Sequence, residues 1–273
     1  MRLRRTLTLV LALIVVAATV CLAQWRRGGR RGLRSSSARD GVPEWTLKAG
    51  FEKDSFAFAR LRYTSHYYGS GGNWSTDYRD ADLNLSLRLH QLTSLEVDPE
   101  GRIVDLTNPE LFDYPLIYIV EPGRLDFSDE EVTILRKYLL NGGFLMVDDF
   151  WGVMEWRNFY EQIKRVFPNR EPVELPLKHP IFHCVFDLKE KPQIPGVRVW
   201  LSTGLTYERQ DAKVVEYKGI FDDNNRMMVM ICHNTDNGDG WEEEATNPEY
   251  FRQFSEKYAY PLAINIFFYA MTH

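Results

Sequence analysis

The chain has 273 residues, 44% of them hydrophobic and 14% aromatic, enough for one large two-sided core and incompatible with wholesale disorder. Its formal net charge of −5 is unevenly spread: eight arginines and no acid fall within residues 1–36, which leaves 25 of the 33 basic residues against all 38 acids. A body so acidic repels nucleic acid and excludes it as a partner, and only the Arg-rich head suits anionic lipid.

The opening "MRLRRTLTLVLALIVVAATVCLAQ" combines a basic start (Arg2, Arg4, Arg5), an apolar run and the small-x-small sequence Cys21-Leu22-Ala23. Residues 1–23 are therefore expected to be a signal peptide. The 20 uncharged residues between Arg5 and Arg26 also have the length of a spanning helix, so an uncleaved anchor over residues 6–23 is the competing expectation. Residues 24–50, rich in Arg, Gly and Ser, read as a flexible linker. Export of this kind places the remainder in the periplasm or outside the cytoplasm, with protein or glycan of the cell envelope as its partner class and the membrane reached through the N-terminal segment.

From residue 51 to 273 strand-length apolar runs alternate with segments of helical period, the pattern of one α/β domain with a largely parallel sheet. "SFAFARLRY" (55–63) alternates as a strand, and "HYYGSGGNWSTDY" (66–78) is a Gly-rich loop without P-loop spacing. Residues 77–92 place Ala81, Leu85, Leu89 and Leu92 on one helical stripe, with Asp77 as the expected N-cap. "PLIYIV" (115–120) reads as a buried parallel strand, and Ser128 to Glu131 form a capping box for a helix closed by Asn141-Gly142-Gly143. "FLMVD" is the next strand, and 153–167 an amphipathic helix. Beyond Pro168 the pattern is more irregular and β-like, with "HPIFHCVFDL", "VRVWLS", "KVVEYKGIFDD" and "RMMVMICHN" before a helical "PEYFRQFSEKY" and an apolar close.

The blocks "YPLIYIVEPGRLDFSDEEVTILRKYLLNGGFLMVDDFWG", "HPIFHCVFDL", "GIFDDNNRMMVMICHNTDNGDGWEE" and "INIFFYAMTH" closely resemble a bacterial family catalogued as domain of unknown function 4159. The resemblance runs from about Phe56 to His273. It implies a class I glutamine amidotransferase-like fold, a flavodoxin-like parallel sheet between helices, in an exported or membrane-attached protein. It implies no activity. Amidotransferases of that fold carry a nucleophilic Cys in a G-x-C-x-G turn after a strand, whereas the comparable "MVDDFWG" has no Cys, Ser or Thr. Thiol chemistry is not expected.

Asp148 and Asp149 end a strand that should be central, and ligands of open α/β sheets bind beyond such strand ends. Alternation would turn Asp148 to the cleft and leave Asp149 to cap the next helix or accept loop amides. The structural reading of the pair stands ahead of a catalytic one. In "HPIFHCVFDL", read as a strand, His183 and Asp187 share a face, a weak metal pattern beside the ordinary reading of a hydrogen-bonded histidine. "HNTDNGDGWEEE" fails the EF-hand template; Asp236, Asp239 and Glu242 offer an irregular oxygen site, and a solvated acidic turn is the blander expectation. Trp74, Trp151 and Trp241 are candidates for a ligand-stacking wall, or for packing loops over the sheet edge. No cofactor is predicted; a divalent metal is the one that these acids admit. The preferred function is a non-catalytic binding or assembly domain at the envelope. The alternatives are a hydrolase using Asp149 with His183, assisted by a metal, on glycan or peptide, and a structural subunit of a membrane complex.

Overall fold

The structure, a computed structural model, describes residues 43–50, 54–65 and 73–273. The predicted signal peptide or anchor, most of the predicted linker and the Gly-rich part of the 66–78 loop lie outside these residues. In chain order come β1 (Ala59–Arg62), β2 (Thr64–Ser65), α1 (Asp80–Leu92), β3 (Arg102–Asp105), β4 (Leu116–Val120) and β5 (Leu125–Asp126). They are followed by α2 (Asp129–Leu140), β6 (Phe144–Asp148), α3 (Gly152–Val166), β7 (Val173–Glu174) and α4 (Val197–Thr203). The chain continues with β8 (Glu216–Phe221), β9 (Met227–His233), α5 (Asn237–Glu242) and α6 (Pro248–Tyr250). A π-helical stretch, Phe251–Ala259, then leads directly into α7 (Tyr260–Thr272).

Seven strands form one sheet in the order β3-β1-β4-β6-β9-β8-β7. The first five are parallel neighbours, while β8 and β7 join antiparallel at one edge. Taken alone, the parallel strands follow the doubly wound order 2-1-3-4-5, so the connections diverge between β1 and β4 and open a crevice at the carboxyl ends there. Every residue of β4 and β6 is buried, which a parallel strand covered on both faces requires.

Alternation divides the core into two. Tyr118, Phe144 and Met146 face α1, α7 and Trp241 of α5, whereas Ile117, Ile119, Leu145 and Val147 face α2 and α3. The predicted capping box forms at α2: Ser128 Oγ accepts from Glu131 N at 3.2 Å, and Glu131 Oε2 from Ser128 N at 2.7 Å. Pro261, inside the last helical run, has no N–H to give; the preceding π turn carries the change of register, with Tyr260 N–H donating to Ser255 O. Among the described residues no helix is long and apolar enough to cross a membrane.

Three segments differ from expectation. "HPIFHCVFDL" is not a strand: Pro180–Phe182 form a 3-10 turn, started by Pro180 and by the His179 side chain accepting from Ile181 N. "VRVWLS" is helical α4, closed by Gly204 at φ +71°; a short apolar run carries no period that separates strand from helix. Residues 237–242 of the acidic stretch are no solvated turn but a helix, carrying the wholly buried Trp241.

Candidate functional site

A cavity of about 480 Å³ opens at the carboxyl ends of the parallel strands. Among the described residues nine carboxylates line it (Asp77, Glu121, Asp149, Glu155, Glu208, Asp236, Asp239, Glu242 and Glu243) against two cations, Arg198 and Arg209. Asp77 comes from the segment between β2 and α1, while Glu121 follows β4, Asp149 follows β6 and Asp236 follows β9, so the ends of three parallel strands converge on it. The turns after β6 and β9 are fastened together: Asn234 N donates to Phe150 O at 2.9 Å and Gly152 N to Asn234 Oδ1 at 2.8 Å.

Several of these acids are held by one oxygen. Asp149 Oδ1 accepts from Trp151 Nε1 at 2.8 Å, Asp236 Oδ1 from Asp239 N at 2.7 Å, and Asp239 Oδ2 from Val197 N at 2.5 Å. Glu121 Oε2 accepts from Asn73 N at 3.2 Å and Glu208 Oε1 from Gly196 N at 3.0 Å. Glu155 is used twice, by the Trp151 N–H at 2.7 Å and by an ion pair with Arg209, which removes one of the two cations from the balance. Asp77 differs: its Oδ2 is closed to solvent and has no hydrogen-bond partner among the described residues, and the same holds for Glu243 Oε2. Oxygens of Asp77, Asp149 and Asp236 lie within 4.8 Å of one another, as do oxygens of Asp77, Asp239 and Glu242.

Burial first, and then mutual repulsion, lifts the carboxyls of Asp77, Asp149 and Asp236 well above the ordinary range. Burial raises Asp239 to about 7, and burial with the Asp239 charge raises Glu242 to about 8. Carboxylates crowded in this way are neutral only by binding protons or by sharing cations. Their donor set is all oxygen, which suits hard divalent ions such as Mg²⁺, Ca²⁺ or Mn²⁺.

The predicted roles of the two strand-end aspartates are reversed. Asp148 is wholly buried away from the cavity, where it accepts from Tyr118 Oη at 3.1 Å, Asn237 Nδ2 at 2.7 Å and Gly238 N at 3.0 Å. Burial pushes its carboxyl up to about 6 while these donors hold it down. Asp149 is the cavity residue. It adopts φ +52°, so strand alternation stops at Asp148 and the next side chain is re-aimed by the left-handed turn. Gly152, in the same turn, adopts φ +74°, a conformation that favours glycine, and a Cβ there would lie 2.6 Å from the Asp211 carboxylate and displace it.

Of the other predicted residues, Asp236, Asp239, Glu242 and Trp151 reach the cavity. Trp241 is 0% exposed in the core with its Nε1 donating to Ala259 O, so it offers no stacking face. Trp74 packs against Tyr78, and the three tryptophans form no common wall. His183 and Asp187 are not at the cavity either. They bond to each other at 2.6 Å, and His183 Nε2 bonds to Leu177 O at 2.7 Å. The neighbouring His179 ring lies against Phe221, which pairs with the first residue of β9, at the opposite end of the sheet. His183 is therefore no partner for Asp149. Asp77 was predicted as a helix cap, but α1 begins at Asp80 and the Asp77 side chain serves the cavity instead. Glu121 was missed although the rule that drew attention to Asp148 and Asp149, an acid at the end of a buried strand, applies to it equally. Glu155, Glu208 and the two arginines carried no signal.

The profile of the DUF4159 family, a domain of unknown function, matches residues 57–271. The chain belongs to this family. No curated protein matches it. The DUF4159 match runs from just before β1 into α7, so the whole acidic cavity lies inside the domain that defines the family.

Proposed function

We propose that this DUF4159 protein is exported or membrane-tethered, and that its domain binds a divalent cation in the acidic cavity and through it holds an oxygen-rich ligand, glycan or protein, at the cell envelope. The observation that carries this reading is Asp77 Oδ2, an oxygen closed to solvent and unpartnered among the described residues, in a cavity that these line with nine carboxylates and two arginines. Uncompensated buried charge of this sort is costly, and a cation is the simplest group that satisfies it. Arg198 at the rim has no ion pair among the described residues and is suited to an anionic group on the ligand. The basic, apolar N-terminal sequence supports the envelope address. The doubly wound strand order supports a class I glutamine amidotransferase-like scaffold, but one without the thiol: Cys232 is buried in β9 and Cys184 Sγ donates to Asn265 O at 3.2 Å, both away from the cavity.

A second reading, metal-assisted hydrolysis, is favoured by one feature. Asp149 sits at positive φ on a sharp strand-to-helix turn, where folds of this type present a reacting side chain. In that reading the proton acceptor is a second carboxylate rather than His183.

The test is calorimetric titration of the chelator-stripped full chain with Ca²⁺, Mg²⁺ and Mn²⁺. Saturable binding that is weakened or reduced in stoichiometry in Asp149→Asn/Asp236→Asn and kept in His183→Ala supports the proposal. No saturable binding of any of the three at millimolar concentration overturns it.

A further inference from the structure

Not all of the cavity carboxylates converge on one point. Among the described residues the close-lying oxygens fall into two sets, Asp77 with Asp149 and Asp236, and Asp77 with Asp239 and Glu242. The sets have only Asp77 in common. Oxygens bound to one divalent ion at about 2.0–2.6 Å lie within roughly 5 Å of each other, so two sets that do not merge at that distance describe two ion positions. We propose that the cavity is a binuclear centre for hard divalent cations in which Asp77 is the bridging carboxylate. The proposal rests on the single-cation reading above and extends it.

Charge and construction point the same way. One divalent ion balances two of the nine lining carboxylates, and two ions balance four. Asp149 and Asp236 stand on the turns after β6 and β9, which the Asn234 bonds tie together, so the first set belongs to the rigid sheet. Asp239 and Glu242 stand on α5, which is attached to the sheet through Asn237 and Gly238 bonding to Asp148. Asp77, between the two, has one oxygen closed to solvent with no other partner among the described residues. Its neighbour on that side is Gly238, where any Cβ would collide with the Asp77 carboxylate, so the helix comes as close as a glycine allows. Two hard cations sharing a carboxylate polarise a ligand oxygen between them, and this makes a phosphate or carboxylate group, which can bridge both ions, the ligand class that fits best.

Manganese is the probe. The chelator-stripped full chain, titrated with Mn²⁺ and examined by native mass spectrometry, is expected to take up two ions. Electron paramagnetic resonance of that form should show the spin-coupled signal of a carboxylate-bridged pair. Glu242→Gln, at a partly exposed position that tolerates the change, should hold one ion and show an uncoupled signal; Asp236→Asn should do the same from the other side. Asp77→Asn should lose the coupled signal altogether. Uptake of a single ion by the wild-type chain overturns the binuclear centre and leaves the single-cation reading standing. Uptake of none overturns both. Two ions with an uncoupled spectrum, or a coupled spectrum that survives Asp77→Asn, would show that Asp77 is not the bridge.

Discussion

Stripped of cations, the cavity should make the domain less stable as pH rises through neutrality, the reverse of what paired carboxylates usually do. Glu242, lifted to about 8 by burial and by the charge of Asp239, and Asp239, lifted to about 7 by burial, keep protons in the folded state that the unfolded chain has already released. The folded state therefore binds more protons than the unfolded one between pH 6.5 and 8.5, and the free energy of unfolding falls with pH in that window. At 1.36 kcal/mol per pH unit, Glu242 contributes about 2 kcal/mol of loss and Asp239 about 0.7 kcal/mol. Partial exposure of Glu242 trims the total to about 2 kcal/mol. For a domain of this size the melting temperature should drop by roughly 4–8 °C from pH 6.5 to 8.5 in the presence of chelator. His233 and His179, held below their ordinary values by burial, act with the opposite sign, but each adds back at most about 0.4 kcal/mol above pH 6.5, which leaves the fall in place. With millimolar Mn²⁺ the trend should reverse, because the cation binds the deprotonated carboxylates and stabilises the folded state more at higher pH. Calorimetric melts at fixed ionic strength give the answer. A melting temperature that stays flat or rises between pH 6.5 and 8.5 with chelator present would refute the reasoning, since the crowded acids would then have been neutralised by something other than protons or metal.

Two substitutions at adjacent positions should separate stability from binding. Asp148→Asn puts an amide among three donors, so it should cost about 1–3 kcal/mol in urea unfolding, whereas Asp149→Asn should unfold within about 1 kcal/mol of wild type yet bind Mn²⁺ at least tenfold more weakly. Equal effects of the two on binding and stability would refute the assignment of faces. Trp241→Ala should cost about 3–5 kcal/mol, because its side chain is wholly buried between Phe58, Tyr118 and the end of the π-helical stretch. A loss under 1 kcal/mol by the same assay would mean that Trp241 is on a surface and available to a ligand.

What was legible in the sequence was local. β4 and β6 are continuous apolar runs, and α2 begins with a capping box whose two bonds both form. α4 was misread because seven residues of mixed apolar and polar character fit a strand as well as a helix, and its decisive feature is a left-handed Gly204 at the end. His183 and Asp187 do meet, but on a turn rather than a strand, and at the far side from Asp149. Most of the cavity escaped for a different reason. Its acids come from separate segments between Asp77 and Glu243, and each of them alone resembles an ordinary solvated side chain. Burial of a charge is a property of the fold, and no single segment records it.

That the strand ends in two adjacent aspartates has a physical reason in the left-handed conformation of Asp149 at the turn between strand and helix. Were the strand to continue, Asp149 would face the α2 and α3 side, among Leu145 and Val147, where a carboxylate has no partner. At φ +52° it turns into the cavity and is held there by the Trp151 indole. Asp148 remains in the pleat, on the α1 and α7 side, and its oxygens take up the side chain of Asn237 and the N–H of Gly238 at the start of α5. That attachment fixes where α5 begins, and with it the positions of Asp236 at its N-cap and of Asp239 and Glu242 one face along. Asp148 is thus a positioning residue for a centre that it does not enter, and the strand ends in two carboxylates because one assembles the site that the other occupies.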